Sequence, residues 1–358
     1  MNQLVLLYSA GLPVEEGDAV ILDSGLFPAM VTGFLYSGDE PSAVTLDDGI
    51  SGQYVCYGHR VHELHFVERK SSDFMRAGLD WLHRKANEGD AHAQFGLGNL
   101  YMTGRGVKPD SFAAFKLWIQ ASKKNHAPAL HQLGQMYEQG EIVPVDETKA
   151  FALYLQAAEQ GYAPAQTSVG IAYQEGIGTE NDLEEAGRWF MRSATQGDPD
   201  AQSCLGWMYA NGQGMRHDEA KAVEWYCKAA EQGQAEAQYG LAIRYEMGKG
   251  IEKDLGEAIR WYSAAADQGV GPALCNLADK YEHGLGVEQD YKTAFDLYMK
   301  AAIKGVNAAM FSLGNLYRKG LGVEQSKDNA MRWFSEALRH GYTDAAASLK
   351  ALQVTCGL

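Results

Sequence analysis

The apolar, small and polar positions of the chain repeat with a period of 36 residues between Asp90 and Gly341. Seven segments of this length align without insertion or deletion, and we number them repeats 1 to 7; they begin at Asp90, His126, Tyr162, Asp198, Gln234, Val270 and Val306. Position 4 of each repeat is Ala, position 12 is Tyr, position 15 is Gly and position 25 is Ala. A fixed period of this size predicts a solenoid of stacked repeats.

Each repeat contains two stretches with helical spacing. Apolar and small residues at positions 4, 8, 12 and 15 fall three and four apart, which predicts helix A over positions 2 to 14. Gly at positions 15 and 17 is suited to end that helix. Asp at position 21 of six repeats is an N-cap for helix B, which carries Ala at 25 and bulky residues at 28 and 29 and ends near position 36. The recurrence of Trp at position 28 indicates core packing between repeats.

The segments around the array predict caps and a separate N-terminal module. Residues 71–89 match the second half of a repeat, and residues 342–358 begin with the first half of another, so both are expected to cover the ends of the solenoid. Residues 1–70 alternate short β-rich runs with turn clusters. This pattern predicts a small antiparallel β-barrel-like domain of the SH3-like type. The domain is either a recognition module or a broad cap on the solenoid. The β-rich runs are 4–8, 18–24, 29–37, 42–49, 53–58 and 61–68.

Composition and charge narrow the classes of partner. Hydrophobic residues make up 46% of the 358 residues, yet no apolar run approaches the roughly 18 residues that span a bilayer, so no membrane insertion is expected. The net charge of −15 disfavours nucleic acid, because its recognition needs clustered Lys and Arg. The N-terminus lacks a basic residue before its short apolar stretch, so no secretory signal is predicted and a cytoplasmic location is expected.

Motifs for catalysis, metal binding or cofactor binding are not readable in the chain, so catalytic residues, metal ligands and cofactors are all expected to be none. The five cysteines are odd in number and form no CxxC pair, which favours free thiols. His59, His62 and His65 are spaced by three on a predicted strand. Because such neighbours point to opposite faces, incidental surface histidines are favoured over a metal site.

The 36-residue unit, A-x-x-x-L-G-x-x-Y-x-x-G-x-G-V-x-x-D-x-x-x-A-x-x-W-Y-x-x-A-A-x-x-G, resembles the Sel-one-like repeat, a relative of the tetratricopeptide repeat. Repeat 2 departs from it, with "GEIVPVD" at 140–146 in place of the glycine turn. The resemblance implies a mainly α, right-handed α/α superhelix whose concave surface is lined by helix A. It also implies that partner peptides bind to that surface.

On helix A, positions 3, 6, 10, 13 and 14 lie opposite the core face. The candidate partner-binding residues at these positions are Phe95, Asn99, Met102, His131, Gln135, Ile171, Gln174, Trp207, Asn211, Tyr239, Ile243, Glu246, Met247, Asp279, Glu282, Phe311, Asn315 and Arg318. Large apolar groups recur among them, most densely in repeats 4 and 5, and such groups within a polar rim mark interaction sites. Packing between neighbouring A helices is the alternative for some of these side chains.

The function that follows is a non-enzymatic scaffold that holds a partner protein or peptide on the helix-A face. The resemblance implies adaptor and regulatory roles, and in bacteria an immunity protein that neutralises a cognate toxin; the adaptor remains the alternative. Some cysteine-rich proteins with these repeats are associated with β-lactam binding or hydrolysis. They carry a regular cysteine pair in each repeat, which this chain lacks, so no enzymatic activity is expected.

Overall fold

The computed structural model describes the backbone of residues 19–20, 29–37, 40–47, 53–57 and 71–354, and the side chains of residues 79–352. Internal contacts divide the chain into two compact units. The N-terminal unit reaches up to residue 172 and includes 176–180, and the C-terminal unit comprises 173–175 and the residues from 181 onward.

Four strands precede the helices in the N-terminal unit. They are β1 (Ala19–Val20), β2 (Ala29–Ser37), β3 (Glu40–Asp47) and β4 (Gln53–Tyr57). The strands pair antiparallel in chain order within one sheet. The β-rich runs at 4–8 and 61–68 lie outside the described residues, as do the histidines at 59, 62 and 65. The barrel and its role therefore remain predictions.

Sixteen helices follow within the described part of the chain, and the A helices of the seven repeats are α2, α4, α6, α8, α10, α12 and α14. The helices are α1 (Ser71–Asn87), α2 (Ala91–Thr103), α3 (Ser111–Ser122), α4 (Ala127–Gln139), α5 (Glu147–Glu159), α6 (Ala163–Glu175), α7 (Leu183–Thr195), α8 (Pro199–Asn211), α9 (Glu219–Glu231), α10 (Ala235–Met247), α11 (Leu255–Asp267), α12 (Gly271–His283), α13 (Tyr291–Ile303), α14 (Asn307–Lys319), α15 (Lys327–Arg339) and α16 (Ala345–Val354). Every A helix spans positions 2 to 14, as the apolar spacing predicts.

The same local bonds shape each repeat. Gly at position 15 has a φ between 65° and 75° and ends helix A. The side chain at position 21 accepts a hydrogen bond from a backbone N–H in the first turn of helix B. The backbone N–H of the same residue donates to the carbonyl of the Tyr at position 12 at 2.9 to 3.0 Å. Repeat 2 keeps this bond, from Asp146 to Tyr137, although its turn sequence differs.

Two further positions need the backbone freedom of glycine. A Cβ added at Gly214, position 17 of repeat 4, would lie 2.1 Å from the carbonyl oxygen of Leu183, where helix B of the preceding repeat begins. Position 36 has a positive φ in every repeat, including Asn125 with a φ of 60°. Asn is among the residues that adopt this conformation most readily, which explains why it can replace glycine there.

The centre of each repeat is a buried aromatic ring at position 29 of helix B. These rings belong to Trp118, Tyr154, Phe190, Tyr226, Tyr262, Tyr298 and Phe334. Helix A lies close against the ring, because a Cβ added at Gly134 in position 9 would come within 2.5 Å of Tyr154. The predicted core packing of the position 28 tryptophans is confirmed. Trp189 is buried, and Trp225, Trp261 and Trp333 are half-buried and pack against the core, since position 28 lies a residue away from the row that faces helix A.

A glutamine pair within each of repeats 4 and 5 is also hydrogen-bonded to the preceding repeat. Gln202 at position 5 of repeat 4 is buried; its Nε2 donates to the Ala194 carbonyl at 3.2 Å, and its Oε1 accepts from Nε2 of Gln232 at 2.8 Å. Repeat 5 forms the same pair with Gln238 and Gln268. Both the nitrogen and the oxygen of this buried amide thus have a hydrogen-bond partner, which limits the cost of burying it.

Candidate partner-binding face

Position 6 of helix A packs against other helices instead of forming an open surface. His131 is 8% exposed, its Nε2 lies 3.0 Å from Ser168 Oγ, and its ring contacts Tyr154 and Tyr162. The other aromatic residues at this position are half-buried, and each packs against the position 29 ring of its own repeat. They are Phe95, Tyr239 and Phe311. The exposure predicted for His131 is therefore wrong, because its ring fills space between repeats 2 and 3.

The two acidic candidates at position 13 accept hydrogen bonds from buried tyrosines. Glu246 Oε2 accepts a hydrogen bond from the Tyr262 hydroxyl at 2.6 Å, and Glu282 Oε2 accepts one from the Tyr298 hydroxyl at 2.9 Å. Burial and the neighbouring glutamate raise the pKa of both tyrosines well above the ordinary value. These glutamates thus stabilise the fold, a role that the predicted face did not include.

Positions 10 and 14 carry the exposed part of the predicted face. The exposed side chains there and at position 13 are Met102, Ile171, Trp207, Asn211 and Met247, and the half-exposed ones are Asn99, Gln135, Gln174, Ile243, Asp279, Asn315 and Arg318. Asn315 and Arg318 hydrogen-bond to each other at 2.9 Å. The prediction that these residues contact a partner remains a prediction, and the structure shows only that they are accessible.

Three apolar side chains of the predicted face lie on consecutive A helices of the C-terminal unit, and we call them the apolar patch. Trp207 on α8 is 43% exposed and Met247 on α10 is 59% exposed, while Ile243, one turn before Met247, is half-buried. Helices α8 and α10 contact each other, and Trp207 and Ile243 occupy the same position on them. Large apolar groups at the surface lose water contact favourably when a partner covers them.

An ion network borders the apolar patch. The ammonium group of Lys280 lies 2.6 Å from Glu246 Oε1 and 3.0 Å from Asp279 Oδ2, so that it links α10 to α12. Asp279 also contacts His283 at 3.1 Å. Burial alone would lower the pKa of Lys280, but its hydrogen bonds to Glu246 and Asp279 raise it above the ordinary value. Lys280 is only 6% exposed, at position 11, which is apolar in five of the other repeats.

The described residues contain no group of three or more His, Cys, Asp or Glu side chains that could hold a metal ion. Three cysteines with described side chains, Cys204, Cys227 and Cys275, are free thiols. Burial raises the pKa of Cys204 to about 12, which leaves it protonated at neutral pH and weakly nucleophilic. In the part of the chain that is described, no helix is both long and apolar enough to cross a bilayer.

Comparison with protein families gives seven consecutive matches to the Sel1 repeat, at residues 91–126, 127–162, 163–198, 199–234, 235–270, 271–306 and 307–342. The chain belongs to the Sel1 repeat family. Its seven family matches lie one residue later than the repeat frame used above. Proteins built from Sel1 repeats are generally protein-interaction scaffolds. None of the curated proteins compared with this Sel1 repeat chain matches it.

Two solved structures are similar over most of the chain. A protective antigen with an SLR fold from uropathogenic Escherichia coli is 34% identical, with a TM-score of 0.67, over 76% of this chain and 59% of its own. The chain thus spans less than two thirds of that relative. A Sel1 repeat protein from Oxalobacter formigenes is 32% identical, with a TM-score of 0.60, over 80% of this chain and 82% of its own.

An immunity protein from Pseudomonas aeruginosa is more distant. It is 21% identical, with a TM-score of 0.39, over 60% of this chain and 81% of its own. At that distance the likeness carries no functional argument.

Proposed function

We propose that this Sel1 repeat protein is a non-enzymatic scaffold that binds a partner protein or peptide through the helix-A face of repeats 4 to 6. The observation that carries the proposal is the apolar patch of Trp207, Ile243 and Met247 beside the Lys280 ion network. Its largest side chains, Trp207 and Met247, are 43% and 59% exposed.

The physical argument rests on what each side chain does within the fold. The tryptophans that pack against the core are buried, as Trp118 and Trp189 are, or half-buried, as Trp225 is. Trp207 instead leaves nearly half of its surface in water, and the charged Glu246, fixed by hydrogen bonds, lies on α10 between Ile243 and Met247. Apolar anchors surrounded by ordered polar groups are typical of interface hot spots, because the rim excludes water around the anchor.

A site-specific cross-link tests the proposal. The photoreactive residue p-benzoylphenylalanine replaces Trp207 in the full chain, and a matched variant carries it at Phe112, an exposed helix-B residue of repeat 1. After irradiation in cells of the source organism, we expect one defined cross-linked partner from position 207 and none from position 112. Equal cross-linking from both positions, or none from 207 while the partner still copurifies, would contradict the proposed face.

The immunity role is a narrower form of the same proposal, and the general adaptor is the alternative. One dedicated partner with toxic activity, identified by mass spectrometry from the position 207 cross-link, would support the immunity role. Several partners of a signalling or assembly pathway would support the adaptor. A cytoplasmic location likewise remains a prediction, which fractionation of the source cells would test.

A further inference from the structure

Repeat 6 contains an apolar cleft away from the helix-A face. The cleft has a volume of about 340 Å³ and lies between the end of α11, α12 and α13. Its apolar lining is formed by Leu274, Leu277, Leu297 and Ile303. Ile303 is 78% exposed, more than any other large apolar side chain in the described part of the chain. Ile303 is therefore the part of the lining that is open to water, whereas Leu274 and Leu277 form its buried floor.

Three residues that differ from their counterparts in repeats 4 and 5 meet at this cleft. Position 28 is Leu297, where repeats 3, 4, 5 and 7 carry Trp. Positions 5 and 35 are Leu274 and Lys304, where repeats 4 and 5 carry the glutamine pair. All three residues line the cleft. The cleft in repeat 6 is thus bounded by Leu297, Leu274 and Lys304 where repeats 4 and 5 carry Trp and the glutamine pair.

Repeats 3 and 4 show which group lies beside the cation at the corresponding place. The guanidinium of Arg192 lies 4.5 Å from the Trp189 ring centroid, and the ammonium of Lys228 lies 4.1 Å from the Trp225 ring centroid. In both repeats the cation is at position 31 and the indole at position 28. Repeat 6 keeps the cation as Lys300, which lines the cleft, but carries no ring at position 28. An aromatic ring entering beside Leu297 would restore the cation–π contact.

The charge at the rim of the cleft favours a negatively charged ligand. Lys300 and Lys304 line the cleft together with Asp267, so the rim has a net charge of +1, whereas the whole chain has a net charge of −15. Neither lysine has an ion pair or side-chain hydrogen bond among the described residues. A carboxylate next to the entering ring would give both ammonium groups a partner.

We propose that the repeat 6 cleft is a second binding site, and that it takes an acidic peptide segment carrying one aromatic side chain. The ring packs on Leu297 and Ile303 beneath Lys300, and a neighbouring carboxylate pairs with Lys304. The site is independent of the proposed helix-A face, because it lies on α11 to α13 and shares no residue with the apolar patch.

The test is a titration of the full chain, labelled with ¹³C at the methyl groups of Ile and Leu. The probe is the acetylated and amidated peptide EDWED. We expect a saturable upfield shift of the Ile303 and Leu297 methyl signals, caused by the indole ring current, while the Ile243 methyl on the helix-A face does not move. The peptide EDLED should bind at least about threefold more weakly, since it cannot form the cation–π contact. The peptide KKWKK should not bind at the cleft.

The outcomes separate this inference from the proposed function. No saturable Ile303 shift with EDWED, or an equal shift with KKWKK, would overturn the inference. A shift of Ile243 alone would place the peptide on the helix-A face, supporting the proposed function and overturning this inference. A shift of Ile303 by oleate but not by EDWED would overturn it in favour of a lipid site.

Two variants with matched controls sharpen the result. Leu297→Trp places in the cleft the indole that repeats 3, 4, 5 and 7 carry at this position, so EDWED binding should be lost. Leu153→Trp, at the same position of repeat 2, should leave it unchanged. Lys300→Gln should weaken binding at least about threefold, while Lys228→Gln, its counterpart in repeat 4, should not. Undiminished binding by Leu297→Trp, or by Lys300→Gln, would contradict the assigned contacts.

Discussion

The residues at position 29 and those at position 10 belong to the same repeats but differ in how much they vary and in how far they are buried. Position 29 is an aromatic residue in every repeat and is buried in each. Position 10 changes from Asn and Gln to Ile, Trp and Asp, and it is exposed or half-exposed in each. A ring at position 29 must fit against its helix A, so little variation is possible. The side chain at position 10 is not confined by packing in this way, so its residue type can vary between repeats and can match the surface of a partner.

The first prediction contrasts one residue from each row. Phe190→Ala removes a ring that is fully buried, so we expect a loss of about 3 to 5 kcal/mol in the free energy of unfolding. Trp207→Ala removes a ring that is 43% exposed, and we expect a smaller loss of about 1 to 2 kcal/mol from its covered part. Urea unfolding followed by far-UV circular dichroism measures both. Similar losses for the two variants would mean that Trp207 belongs to the core.

The second prediction concerns position 1, where one repeat meets the next. His126 Nδ1 accepts the backbone N–H of Ala129, and its Nε2 lies 3.1 Å from Nδ1 of His92. Burial, followed by the nearby His92, lowers the pKa of His126 to about 4, although Asp90 opposes the shift. The unfolded chain therefore binds this proton first as the pH falls. The contribution to stability is complete above pH 6.5, the ordinary pKa, and is lost as the pH falls to about 4.

The expected size is at most about 3 kcal/mol, since each unit of pKa shift corresponds to about 1.4 kcal/mol. His126→Asn keeps a capping side chain but does not titrate. Stability measured across this pH range should fall more steeply in the wild-type chain than in the variant. Parallel pH profiles for both proteins would contradict the assignment of this loss to His126.

The third prediction tests a charge in a core position. Lys280→Ala leaves the carboxylates of Glu246 and Asp279 without their shared cation. We expect a loss of about 2 kcal/mol, below the usual value for a broken buried pair because both carboxylates are partly exposed. Lys300→Ala serves as the matched control, with a change within about 0.5 kcal/mol. Equal effects in thermal or urea unfolding would show that the ion network adds no stability.

Local signals made the helices predictable from the sequence. Gly at position 15 and the capping residue at position 21 act within a few residues of themselves, so the bounds of helix A follow from the spacing alone. His131 could not be placed in this way, because Tyr162 and Ser168, which it contacts, belong to the next repeat. Its burial depends on how two repeats pack, and a single helical wheel does not contain that information.

The structural role of the glutamates at position 13 could have been predicted from the sequence, although not from a helical wheel of helix A alone. Glu occurs at position 13 in repeats 2, 5 and 6, and in each of them position 29 is Tyr. The pairs are Glu138 with Tyr154, Glu246 with Tyr262 and Glu282 with Tyr298, all joined by hydrogen bonds. Reading the two positions together would have assigned these glutamates to the fold. The exposed Trp207 and Met247 have no such partner in the pattern, and they remain the candidates for binding.

The affinity of the cross-linked partner for the full chain tests the central claim most directly. Isothermal titration calorimetry compares the wild-type chain with Trp207→Ala and with the exposed control Phe112→Ala. For a hot spot worth about 2 kcal/mol, Trp207→Ala should raise the Kd roughly 30-fold, while Phe112→Ala should change it less than about twofold. An unchanged Kd for Trp207→Ala would contradict binding through the helix-A face.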